Sequence, residues 1–245
     1  MAGTTLYVLL VIFLATLIRS VFGFGEALIA VPLLALQLPV TIAAPLSVLV
    51  SITVAAIIVL QDWRHVELRS ASWLVSATMA GIPFGLWLLA EGNQRVVKAG
   101  LGAIIMAFAV FSLARRRPPE LHTENRAWLL GCGFCAGILG GAYGMNGPPL
   151  AIYGAMRRWP AQHFRATLQG YFLPASIIGM LGYWLAGLWV AQVTRYFLLS
   201  LPATLAAILL GRSLHGRMHG DSFLRYVSAA LLVIGAVLMG EAMRG

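Results

Sequence analysis

The sequence predicts an all-α polytopic membrane protein made of two inverted four-segment repeats, with broken first and fifth segments. Three observations lead there: an apolar content that no soluble fold of this length could bury, eight long apolar segments, and two glycine-rich interruptions 121 positions apart. Of the 245 residues, 60% are hydrophobic and 10% charged, and the mean hydropathy is +0.87. An average soluble domain is roughly 25% charged. The apolar runs are long and lack the alternation of membrane strands, so they read as helices.

The segments fall at about 5–34, 41–60, 71–90, 96–114, 127–155, 166–187, 192–210 and 223–241. Six have the roughly twenty residues that cross a hydrocarbon core of about 30 Å. The first and fifth are about thirty residues long, and each holds a glycine-rich break. In the first segment the break is Phe22-Gly23-Phe24-Gly25-Glu26, and in the fifth it is Gly140-Gly141-Ala142-Tyr143-Gly144-Met145-Asn146-Gly147-Pro148-Pro149. An offset of 121 residues pairs Phe13 with Phe134, Gly23 with Gly144, Ala30 with Ala151, Pro39 with Pro160 and Trp63 with Trp184. Two membrane repeats, 1–114 and 127–245, joined by an arginine-rich cytoplasmic linker at 115–126, are therefore expected.

The basic residues set the topology. The net charge is +9, and all 17 basic residues are arginine except Lys98. In a soluble chain this would suggest nucleic acid; here it marks the cytoplasmic face, and no nucleic-acid partner is expected. If all eight segments span, the loop charges divide evenly between the two sides. If segments one and five enter and return on the same side, twelve arginines (64, 69, 115, 116, 117, 126, 157, 158, 165, 212, 217 and 225) gather on one face. Arg95, Lys98, Arg195 and Arg244 then stay on the other. The second arrangement obeys the positive-inside rule, inverts the second half and puts both termini outside the cytoplasm. The first basic residue is Arg19, so the charged start of a secretory leader is missing and the first segment is expected in the mature protein.

Non-helical backbone at membrane depth survives only inside protein or beside a cavity. Each break would place helix ends around a polar space, and helix N-termini favour anions. Broken helices at matching places in two halves point to a transporter's substrate site. Close helix packing through small residues is the structural alternative. Arg19 could hold an oxyanion with its planar fork of donors; Glu26, seven residues on, could carry a proton or merely pair with Arg19. Asn146 could donate to a substrate oxygen, and Pro148 would start the following half-helix. Gly23, Phe24, Gly25, Gly144 and Gly147 frame the breaks, with Tyr143 facing either the site or the packing. Arg165 and Gln169 share a helix face and could line a cytoplasmic approach.

Other chemistry is poorly supported. His215 and His219 have ligand-like spacing without a third ligand nearby, so no metal is expected. Cys132 and Cys135 lie one turn apart; a thiol relay is conceivable, but small buried side chains are the simpler reading. The seven tryptophans sit mostly near segment ends, as an interfacial belt does. There is no Walker loop, dinucleotide fingerprint or serine-nucleophile elbow, so neither a cofactor nor an enzyme activity is expected, and uphill transport would need an ion gradient or exchange.

With these motifs in place, the chain resembles the sulfite exporter TauE/SafE family of membrane permeases. The resemblance rests on Phe22-Gly23-Phe24-Gly25 in an arginine-containing first segment and, more specifically, on the second motif from Gly140 to Pro149. It covers essentially the whole chain. It implies secondary transport of small sulfur-containing anions, sulfite or organosulfonates, across the bacterial cytoplasmic membrane, commonly as export. Glu26 departs from the repeat, since Gly147 stands at the equivalent position; a carboxylate beside an anion site favours proton coupling. A channel-like or scaffold protein, or a sulfur-relay enzyme using Cys132 and Cys135, is the alternative. Small anions and membrane lipid are the expected partners; a homodimer stays open, because lipid-facing and partner-facing apolar surfaces look alike.

Overall fold

The computed structural model describes residues 2–62, 68–114, 126–157, 161–214 and 220–244. Among the described residues the chain forms ten helices and no strand. They are α1 (Ala2–Phe22), α2 (Glu26–Leu34), α3 (Val40–Asp62), α4 (Leu68–Glu91), α5 (Gln94–Leu113), α6 (Arg126–Tyr143), α7 (Gly147–Met156), α8 (Ala161–Leu185), α9 (Ala191–Leu214) and α10 (Gly220–Arg244). Eight expected segments become ten helices because segments one and five each break once, where the glycines lie. Helix α8 starts five residues earlier than hydropathy suggests, because polar Gln162, His163 and Arg165 open it.

Glycine ends the first helix of each pair for a backbone reason. Gly23, Gly25 and Gly144 have φ of 85°, 96° and 66°, a region that costs other residues about 1–2 kcal/mol. The offset holds at these joints: Phe22 and Tyr143 close α1 and α6, Glu26 and Gly147 open α2 and α7, and Val40 and Ala161 open α3 and α8. After the first break the chain folds back. The Arg19–Glu26 pair joins the neighbouring ends of α1 and α2, and Tyr7, near the start of α1, donates to the Leu33 carbonyl near the end of α2 at 2.6 Å. Helix α2 therefore runs antiparallel to α1.

Packing repeats the same correspondence. Helix α4 packs on α6 as α1 packs on α9; α4 meets α8 as α9 meets α3; and α5 and α3 each pair with their own counterparts, α10 and α8. Helices α5 and α10 run in opposite directions: Lys98 pairs with Glu241 at one end, and Ser228 donates to Ser112 at 2.9 Å at the other. The α4–α6 seam is made of small residues in opposed register. Gly81 and Gly85 lie against the backbone of Phe134 and Ile138, while Gly137 and Gly141 lie against that of Thr78 and Ile82. Such small-xxx-small seams let membrane helices approach backbone to backbone.

Among the described residues five helices are long and apolar enough to cross a membrane: α1, α3, α4, α5 and α9. Helices α8 and α10 carry the shorter apolar stretches Gly170–Leu185 and Val227–Met243. Trp73, Trp87, Trp128, Trp184 and Trp189 face outward; Trp63 and Trp159 lie outside the described residues, as do the Arg115–Arg117 run, His215 and His219.

Candidate functional site

The two breaks meet. Between them lies a cavity of about 30 Å³, room for roughly two waters, since each needs about 10–15 Å³. From the first half it is lined by Arg19, Phe24, Gly25 and Glu26, and from the second by Gly144, Asn146, Gly147 and Pro148. Eight residues expected at the site thus share one space.

Arg19 and Glu26 carry the charge. Both side chains are almost wholly buried, with relative exposures of 3% and 2%. Arg19 Nη1 donates to Glu26 Oε2 at 2.5 Å and to Ser51 Oγ of α3 at 2.6 Å. The guanidinium also lies 5.0 Å from the Phe172 ring centroid of α8, a cation–π distance. Glu26 Oε1 has no hydrogen-bond partner among the described residues. Ser176, one turn beyond Phe172, points its hydroxyl at Ser51 across 3.4 Å.

The second half answers with polar but uncharged groups. Asn146 takes the space beside Gly140, where a Cβ would collide with its amide. That amide also bonds the Tyr171 hydroxyl, which meets Thr78 Oγ1 at 2.7 Å. Tyr183 donates to the Gly140 carbonyl at 2.8 Å and braces the end of α6.

The two half-helices differ as anion donors. The first-turn N–H groups of Glu26, Ala27 and Leu28 have no acceptor within α2, and all three residues line the cavity. In α7 the equivalent turn contains Pro148 and Pro149, which carry no N–H.

Some expected residues lie elsewhere. Gly23 adjoins the cavity and sets the turn. Tyr143 points away from it, with its hydroxyl over Gly100 of α5, 2.6 Å from where a Cβ would be. Arg165 and Gln169 sit on α8, and their side chains lie outside what the structure describes. Cys132 is half-buried and Cys135 exposed, both on α6 and neither on the cavity. Sequence reasoning missed Ser51, Phe172 and Ser176. The repeat offset could have found two of them, because Ser51 and Phe172 are themselves 121 positions apart.

A helical membrane protein with a charged cavity where two broken helices meet has the build of a membrane transporter. The chain belongs to the sulfite exporter TauE/SafE family, whose family model matches residues 8–239. It is 24% identical over 230 residues, 91% of this chain and 89% of the other, to a Cupriavidus necator protein named probable sulfite/organosulfonate exporter TauE. No solved structure matches the chain.

Proposed function

We propose that this protein is a multi-pass secondary transporter of the bacterial cytoplasmic membrane that exports small sulfur-containing anions. The observation that carries the proposal is Arg19, a buried cation held in a cavity built by both breaks. Sulfite and small sulfonates offer the oxygens that a guanidinium, the Ser51 and Ser176 hydroxyls and the Asn146 amide can bind. The cavity volume favours a compact anion. The two repeats, 1–114 and 127–245, are inverted about the cavity: α5 and α10 are equivalent and antiparallel, and the α1–α2 fold-back suits a segment that returns to its own side. The linker 115–126 then lies in the cytoplasm.

Glu26 gives the transporter its coupling ion. An incoming anion must take Arg19 from the Glu26 carboxylate. Two negative groups around one guanidinium in a buried cavity are unfavourable, so Glu26 takes a proton as the anion binds. The other elements that line the cavity with it present no further titratable group among the described residues: α3 gives Ser51, α8 gives Phe172 and Ser176, and the second break gives Asn146 and Gly147. Anion and proton therefore move together and in the same direction. Efflux of methanesulfonate from proteoliposomes tests this, because that anion holds no proton of its own near neutral pH. Saturable efflux, sped by acid on the loaded side and carrying a proton, is the expected result. In Glu26→Gln the flux should persist, lose its pH dependence and become electrogenic. Linear, unsaturable flux would instead make the protein a channel.

A further inference from the structure

Two cavities meet at Phe24. On one side is the polar cavity of Arg19. On the other is an apolar pocket among Phe22 of α1, Phe108 of α5, and Val227 and Leu231 of α10. Phe24, Gly25 and Leu28 line both, so this short stretch is the partition between them. Phe24 is carried between Gly23 and Gly25, both with positive φ, a backbone that glycine can enter and leave at little cost.

Met145 holds the equivalent position in the second half, 121 residues on, directly after positive-φ Gly144. It lines the polar cavity too, but is fully buried in the main core. Its surroundings lie towards the other end of α5. Next to it, Gly144 meets Ala44 and Val48 in the first half of α3, and Tyr143 meets Gly100 in the first half of α5. Helix α5 acts as a ruler: Gly100 touches the Tyr143 hydroxyl at the end of α6 and Phe108 the pocket behind the first break. Eight residues at 1.5 Å each separate these levels by about 12 Å.

We propose that Phe24 and Met145 are paired gates on opposite faces of the anion cavity, with Met145 shut and Phe24 the thin partition in the state seen here. This rests on the transport reading above. The pocket behind Phe24 lies in the halves of α5 and α10 that precede Arg115–Arg117 and follow Arg217 in the sequence, arginines that the positive-inside rule places in the cytoplasm. Phe24 is the inner gate and Met145 the outer one.

Cysteine labelling tests the pair. In a Cys132→Ser/Cys135→Ser background, Phe24→Cys and Met145→Cys are exposed to a charged, membrane-impermeant thiol reagent in right-side-out and inside-out vesicles. Phe24→Cys should react from the cytoplasmic face. Met145→Cys should react from the opposite face, about tenfold or more slowly, since it needs a minor state. Reaction of both from the same face, or of neither in protein that still folds, overturns the gates. In proteoliposomes Phe24→Ala/Met145→Ala should leak methanesulfonate linearly; saturable efflux in that double variant also overturns the proposal. Two-faced labelling in a protein without any anion flux would leave the gates standing and remove the transport reading.

Discussion

The two breaks fall at equivalent positions and differ in chemistry. Position by position along the repeat, Arg19 stands against Gly140, Phe24 against Met145, Gly25 against Asn146, and Glu26 against Gly147. The first break puts an ion pair into the cavity and leaves the N–H groups of its half-helix free of side-chain caps. The second replaces both charges by glycine, fills the space with one amide and begins its half-helix with two prolines. The first break is thus the charge carrier of the cavity and the second its neutral wall.

The largest test of that division removes the charge. Arg19→Ala should cost about 2–5 kcal/mol in anion affinity, reducing flux at least tenfold at low substrate in liposomes. It should also destabilise the fold by about 3–5 kcal/mol, because Glu26 is left buried without its partner, as detergent unfolding would show. Arg19→Ala/Glu26→Gln should recover most of that stability but not the flux. Equal flux in wild type and Arg19→Ala would break the comparison.

Next come the hinges. Gly25 has open space where a Cβ would go, so Gly25→Ala meets backbone strain alone, about 1–2 kcal/mol. At Gly144 a Cβ would lie 2.9 Å from Val48 Cγ2 and 3.1 Å from the Ala44 carbonyl oxygen, which adds about 1–3 kcal/mol of overpacking. Thermal melting should therefore rank Gly144→Ala below Gly25→Ala. Reversed order would mean the second break has more slack than its packing shows.

A smaller effect should follow from Asn146→Ala. Its amide bonds Tyr171 and fills the place beside Gly140, and losing a buried polar partner costs about 1–3 kcal/mol. Flux in proteoliposomes should fall about tenfold with its pH dependence intact, because Glu26 is untouched. The smallest change belongs to Cys132→Ala/Cys135→Ala. Neither thiol reaches the cavity, so flux should stay within about twofold, as for substitutions away from key contacts.

How much of this the sequence carried differs between fold and site. The helices were legible because membrane length and hydropathy are local properties, and the breaks because glycine marks backbone that cannot continue as helix. Arg19, Glu26 and Asn146 stood out as polar groups in apolar surroundings. Ser51 and Ser176 did not, since a serine inside an apolar helix looks alike whether it faces a cavity, a neighbour or lipid. Tyr143 shows the same blind spot in reverse: one residue before the break, it is turned by the helical period towards α5 instead of the cavity. Side-chain direction near a helix end depends on where the turn stops, and hydropathy holds no information on that.

The glycine seam between α4 and α6 has a consequence for the protein's mechanics and its assembly. It welds a helix of the first half to a helix of the second, with backbone against backbone along several turns. Helices α4 and α6 are therefore held as one piece, and any movement of one must carry the other. A ribosome that has released only α1–α5 presents a half-finished lock, its grooved face on α4 waiting for a key still to be synthesised.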